Sequence, residues 1–269
     1  MRLAATLAAL AAALALSAGV AATQSGSQSA TSAPPIQAVQ PQGTQIVAMR
    51  RITEAQYRSS IADIFGSDIR VAGRFEPIVR PVHELIAHGA REASISPAGL
   101  EQFDAMARQI AGQVFAAERR SQFAACQPAD ANAADAACAA GVLAPIGRLL
   151  YRRPLAAAEQ AHYVRLAGAA AEATGSFDKG LELALAAMLV SPNFLYIIET
   201  AEADPARPGQ LRLDNYTRAA RLAMMLWNTA PNEALLTAAS AGKLTDQAQL
   251  DAAAARMVAS PRFEAGVRA

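Results

Sequence analysis

Cysteine occurs twice in the 269 residues and tryptophan once, and only three histidines are present. No Cys-x-x-Cys-His motif occurs, which excludes c-type haem attachment. A Gly-x-Ser-x-Gly elbow, a phosphate-cradling glycine loop and a dinucleotide fingerprint are also missing. Aromatic residues make up 5% of the chain while alanine abounds, a balance that favours helix over sheet. Basic and acidic side chains number 24 and 23, and removing Arg2 with a leader leaves 23 of each. A neutral chain has no electrostatic footprint for nucleic acid and no polybasic patch for a membrane surface. No apolar run beyond the N-terminus is long enough to span a bilayer.

The N-terminus is the exception to this even composition. Met1-Arg2 gives a short positive start, Leu3 to Leu16 is an almost unbroken Leu/Ala run, and Val20-Ala21-Ala22 is a small-x-small cleavage pattern. These are the three parts of a secretory signal peptide, here residues 1–22. A retained membrane anchor is the rival reading, but the run is dominated by alanine and is short for a span of about 20 apolar residues. No cysteine follows the cleavage region, so a lipoprotein anchor is not expected. The mature chain is expected to be periplasmic or secreted, with no stable membrane span after cleavage. Residues 23–45 are rich in Ser, Gln, Thr and Pro without apolar periodicity, and read as a disordered linker.

Helix signals repeat from Ile46 onward. Thr53-Glu54-Ala55-Gln56 is a capping box, followed by a stripe of Tyr57, Ile61, Ile64 and Phe65 and a left-handed stop at Gly66. Ser96-Pro97 opens a second helix with Leu100, Phe103, Ala107, Ile110 and Val114 on one face. Further helices are expected over 135–150, with a kink at Pro145, over 156–173 and over 177–190. Ser191-Pro192 then starts a short helix through Phe194-Leu195-Tyr196. Asp214 caps the next helix, Pro231 precedes another at 233–239, and Thr245 is expected to cap a long helix to about residue 259. No segment shows strand alternation, so the expected fold is all-α, a multi-helix array. Residues 262–269 read as the start of another helix, and the sequence is expected to be a piece of a longer protein.

Candidate chemistry is sparse. Cys126 and Cys138, an even pair in an exported chain, are expected to form a structural disulfide. Two buried free thiols are the alternative. His83 and His88 stand five apart, about 140° around a helix, so they cannot share a metal as a four-residue spacing would allow. They read as ordinary loop histidines, and His162 as structural. Arg152 and Arg153 could bind an anion, although helix C-termini routinely attract basic residues. Trp227 reads as a core anchor and Asn228 as a helix-end residue. No metal, haem or other cofactor is expected.

Three stretches resemble one family. Arg50-Arg51-Ile52-Thr53-Glu54-Ala55-Gln56-Tyr57, continuing to Asp63-Ile64-Phe65-Gly66, is similar to the opening module of planctomycete-type secreted multidomain proteins. Leu150-Tyr151-Arg152-Arg153-Pro154-Leu155, with Ser191-Pro192-Asn193-Phe194-Leu195-Tyr196, resembles their middle module. Leu226-Trp227-Asn228, with Gly242-Lys243-Leu244, resembles the start of the third. These are the domains of unknown function numbered 1587, 1595 and 1592, often found beside cytochrome c domains. Gln56 stands where the family usually has Glu. The resemblance implies helical modules over 46–125, 126–200 and 210–269, the last truncated. It singles out Arg51, Tyr57, Arg152, Arg153, Pro154, Ser191, Pro192, Asn193, Trp227 and Asn228, but supplies no catalytic residues.

Three functional readings follow. The first is a haem-free binding or scaffolding module of a larger protein, with C-terminal modules and a cytochrome c domain or protein as partners. The second is part of an oxidoreductase or polymer-degrading enzyme whose site further modules complete. The third is an electron-transfer accessory that docks a cytochrome. Cleavage is testable directly: N-terminal sequencing of exported material is expected to begin at Thr23, and an intact Met1 in a membrane fraction would refute it.

Overall fold

The computed structural model describes residues 43–78, 94–124 and 126–268. The signal peptide, nearly all of the linker, and His83 and His88 lie outside the described residues. Helix α1 (Glu54–Phe65) starts at the expected box: Thr53 Oγ1 accepts from the Gln56 amide at 3.2 Å, and Gln56 Oε1 accepts from the Thr53 amide at 3.3 Å. Tyr57, Ile61 and Phe65 are buried, and Ile64 is partly so. Gly66 ends the helix at φ 109 and ψ 146, positive in φ but extended rather than left-handed helical. Helix α2 (Pro97–Val114) is capped by Ser96, whose hydroxyl accepts from the Gly99 amide at 3.0 Å. Phe103, Ala107, Ile110 and Val114 enter the core, whereas Leu100 stays 47% exposed and is not part of the stripe.

After the short α3 (Arg120–Phe123) come α4 (Ala136–Leu150), α5 (Ala157–Thr174) and α6 (Phe177–Leu189). Asp135 caps α4, and Pro145 lies inside it. Cys126 is joined to Cys138 near the start of α4, with Cα atoms 5.6 Å apart. Closing the loop between them stabilises the fold by about 3 kcal/mol at most. Helices α5 and α6 pack at very close range, because a Cβ on Gly180 would lie 2.3 Å from the Ala167 carbonyl oxygen.

The all-α expectation fails at three strands. β1 (Gln45–Arg51), β2 (Tyr196–Ala203) and β3 (Leu211–Leu213) form an antiparallel sheet in the order β1-β2-β3. The short helix α7 (Pro192–Leu195) therefore stops one residue earlier than expected, and Tyr196 begins β2. β1 and β2 give no clean polar/apolar alternation in the sequence because each buries a charged residue. Along β2 the buried positions are Ile197, Glu199 and Ala201, and β1 buries Arg51 while Ile46, Val47 and Met49 face outward. A charged side chain is thus buried in each of β1 and β2, and β1 leaves Ile46, Val47 and Met49 exposed, which breaks the apolar-in, polar-out pattern of a half-buried strand.

The remaining elements are α8 (Asn215–Leu226), α9 (Glu233–Ser240), a 3-10 turn at Lys243–Thr245, α10 (Gln247–Val258) and α11 (Pro261–Arg268). Asp214 caps α8 as expected. Asp246, not Thr245, caps α10, since Thr245 belongs to the preceding turn. A large core gathers α1, α2, α4, α5 and α6, and a smaller one lies among α8, α9 and α10. Polar ties join them: Thr229 Oγ1 donates to Asp63 at 2.7 Å, the Ala230 amide donates to Ser60 Oγ at 3.1 Å, and Arg262 pairs with Asp63. No helix among the described residues is long and apolar enough to cross a membrane. Gly180→Ala is expected to cost about 1–3 kcal/mol through overpacking. Thermal unfolding reads this as a lower midpoint, and an unchanged midpoint would show that α5 and α6 can move apart.

Candidate functional site

The turn after α4 is built around one left-handed residue. Tyr151 ends the helix and Arg152 follows at φ 61, a conformation uncommon for a non-glycine residue. That turn sends the Arg152 side chain into the interior, where it is 4% exposed. Its Nη2 donates to the carbonyls of Asn193 at 2.7 Å and Tyr196 at 2.6 Å, with the Phe194 oxygen at 3.4 Å. The last carbonyls of a helix lack intrahelical partners, and the guanidinium supplies one for α7. Arg152 thus caps a helix distant in sequence rather than its own. Burial, then the charges of Arg50 and Arg153, pull its pKa down to about 9, which leaves it charged at neutral pH.

Arg153 turns the other way and grips Glu159 with both nitrogens at 2.8 Å. Asn193 completes a triangle, accepting from Arg153 at 3.1 Å and donating to Glu159 at 3.2 Å. Glu159 also accepts from the Ala156 amide at 2.7 Å, so it caps the start of α5. The Arg153 hydrogen bond holds the Glu159 carboxyl below the usual range, against a smaller effect of burial. The Tyr151 hydroxyl bonds that of Tyr163, and burial pushes its pKa upward. Ser191 caps α7 through the Asn193 amide at 3.2 Å, with Pro192 as the first helical residue.

A cavity of about 140 Å³ opens beside these residues. Tyr151, Arg152, Arg153 and Asn193 form one wall, and Ile46, Ile198 and Thr200 of the sheet form another. Helix α8 closes it with Tyr216, Thr217 and Ala220. Thr200 Oγ1 hydrogen-bonds to Asp214 and lies 3.0 Å from Thr217 Oγ1, and the Thr217 amide donates to Asp214 at 2.7 Å. The space offers cationic and hydroxyl groups next to an apolar surface. Among the described residues no group of three or more His, Cys, Asp and Glu is placed to hold a metal.

The structure gathers Arg152, Arg153, Pro154, Ser191, Pro192 and Asn193 here and leaves the other motif residues elsewhere. Arg51 donates to the carbonyls of Glu76 at 2.8 Å, Pro77 at 3.0 Å and Ser94 at 2.9 Å, and pairs with the Glu76 carboxylate at 3.2 Å. Tyr57 lies in the aromatic core against Phe75, Phe103 and Phe194. Trp227 donates from Nε1 to the Met257 carbonyl at 3.0 Å, and Arg262 stacks 4.5 Å from its ring centroid. Asn228 takes a left-handed conformation at φ 52 after α8. His162 is exposed, its ring edge-on to Tyr163. Glu159, Thr200 and Thr217 were not singled out from the sequence. Of the cavity's lining, Arg152, Arg153 and Asn193 carried a family-motif signal, and Asp214 beside it carried a helix-cap signal.

Three family models match the chain in succession, each described as a protein of unknown function: DUF1587 over residues 50–116, DUF1595 over 138–199 and DUF1592 over 213–269. No curated protein and no solved structure matches it. The Arg153–Glu159 pair yields a pH prediction. The folded pKa of Glu159 lies below its unfolded value of about 4.3. Its stabilisation is therefore present above that pH and is lost as pH falls through the folded value. Urea unfolding between pH 5 and 3 is expected to show a steeper loss for the wild type than for Glu159→Gln, and equal slopes would refute the assignment.

Proposed function

We propose that this chain, a member of the family that joins the DUF1587, DUF1595 and DUF1592 domains, is an exported haem-free module that binds or scaffolds other parts of a larger assembly. One observation carries this reading: the residues by which the chain resembles its family are spent on architecture. Arg152 holds the end of α7 and the start of β2, Arg153 and Asn193 hold α5 against α7, and Arg51 holds the chain at 76–77 and 94. Trp227 ties α8 to α10. An enzyme's signature residues would converge on a reacting centre. Here Arg51, Tyr57 and Trp227 lie apart from the cluster of Arg152, Arg153 and Asn193, and Arg51, Arg152, Arg153, Asn193 and Trp227 each tie one segment to another. The disulfide and the signal-like N-terminus support a periplasmic or secreted location. The partners on this reading are further modules of the same polypeptide, and the resemblance adds a cytochrome c domain or protein.

The test compares stability with turnover. Arg152→Met strands buried carbonyls and is expected to cost about 3 kcal/mol or more. Arg153→Gln is expected to lower the thermal midpoint less. The purified chain is expected to show no peroxidase, dehydrogenase or glycan-hydrolysis activity. Turnover that Arg153→Gln abolishes while leaving the thermal midpoint unchanged would overturn the scaffold reading.

A further inference from the structure

The cavity beside Arg152 has chemistry that a scaffold does not use. Arg153 meets its charge on Glu159. Arg152 meets carbonyl dipoles and, among the described residues, no carboxylate. A guanidinium has five N–H donors. Nη2 carries the short bonds, while Nη1 reaches the Phe194 oxygen only at 3.5 Å, beyond a good hydrogen bond. Donor capacity and positive charge therefore remain on a residue that lines an open space. Tyr216 of α8 lines the same space, and Ile46, Ile198 and Ala220 give it apolar walls.

Size and charge narrow the guest. At about 140 Å³ the cavity is well below the roughly 300–1,000 Å³ of drug-sized ligand sites, so its guest is small. A single uncompensated guanidinium suits one negative charge. Phosphate would bring close to two, near the carboxylates of Glu159 and Asp214, and would have no use for the apolar walls. Asp214 and Thr217 already absorb the Thr200 hydroxyl, so few donors remain for a tetrahedral anion.

We infer that the cavity between Arg152 and Tyr216 binds a small monocarboxylate, its head on the spare guanidinium donors and its short aliphatic body against Ile46, Ile198 and Ala220. The inference goes beyond the scaffold reading and does not depend on it. Isothermal titration of the full chain at pH 7 with acetate, propionate and butyrate tests it, with chloride and phosphate at matched ionic strength as controls. Saturable binding of propionate or butyrate is expected at about millimolar affinity, the range open to a ligand of so few atoms. Ala220→Leu fills the cavity without touching a charge and is expected to weaken binding about tenfold or more. Tyr216→Phe removes one hydroxyl and is expected to weaken it about threefold to tenfold, with an unchanged far-UV spectrum. Equal heats from phosphate or chloride, no saturable carboxylate binding, or undiminished affinity in both folded variants would overturn the site. Because the assay reads binding and not turnover, its failure leaves the scaffold reading standing.

Discussion

Arg152 is 4% exposed, and the carbonyls of Asn193, Phe194 and Tyr196 make the burial of its charge tolerable. Burying an ion costs several kcal/mol unless partners replace its hydration. The carbonyls have the complementary need, since they lie where a helix ends and a strand begins. Each side satisfies the other, and the junction between α7 and β2 is fixed as a result. Fixing where β2 starts sets its register with β1, and that register places Arg51 opposite Tyr196. Arg51 then repeats the device, holding the carbonyls of Glu76, Pro77 and Ser94.

The capping signals were legible because a cap is a local event. Thr53, Ser96, Asp135, Ser191 and Asp214 each accept from a backbone amide within three residues of themselves. The sheet was hidden because its strands bury Arg51 and Glu199 and expose Ile46, Val47 and Met49. Only tertiary partners explain that burial: Glu199 is held by Arg221 of α8, and Arg51 by the segment around Glu76. Leu100 shows the same limit, since a helical period can be correct while one member of the stripe has nothing to pack on. The cavity draws on residues 46, 151–153, 193, 198, 200, 216, 217 and 220. No spacing rule links those positions. What the sequence did carry was the Tyr-Arg-Arg-Pro and Ser-Pro-Asn-Phe stretches, whose proximity only the fold reveals.

The seam between the two cores is polar. Asp63 receives both Thr229 and Arg262, Ser60 receives the Ala230 amide, and Arg148 pairs with Glu233. Such ties specify one orientation, because a small rotation would break several of them at once. Apolar surfaces alone would tolerate more sliding.

The pairing of β1 with β2 also bears on the order in which the molecule can assemble. About 145 residues separate the paired strands, so the first strand made must wait for one far along the chain. Closing a loop of that length costs roughly 4 kcal/mol of chain entropy before any ladder bond forms. The local helix pairs α4–α5 and α5–α6 face no such delay and are available as an early nucleus. The sheet is thus a late latch across boundaries that family comparison draws between separate domains. Division at those boundaries would give pieces that are complete as sequence and incomplete as folding units, with β1 on one piece and its partner on another.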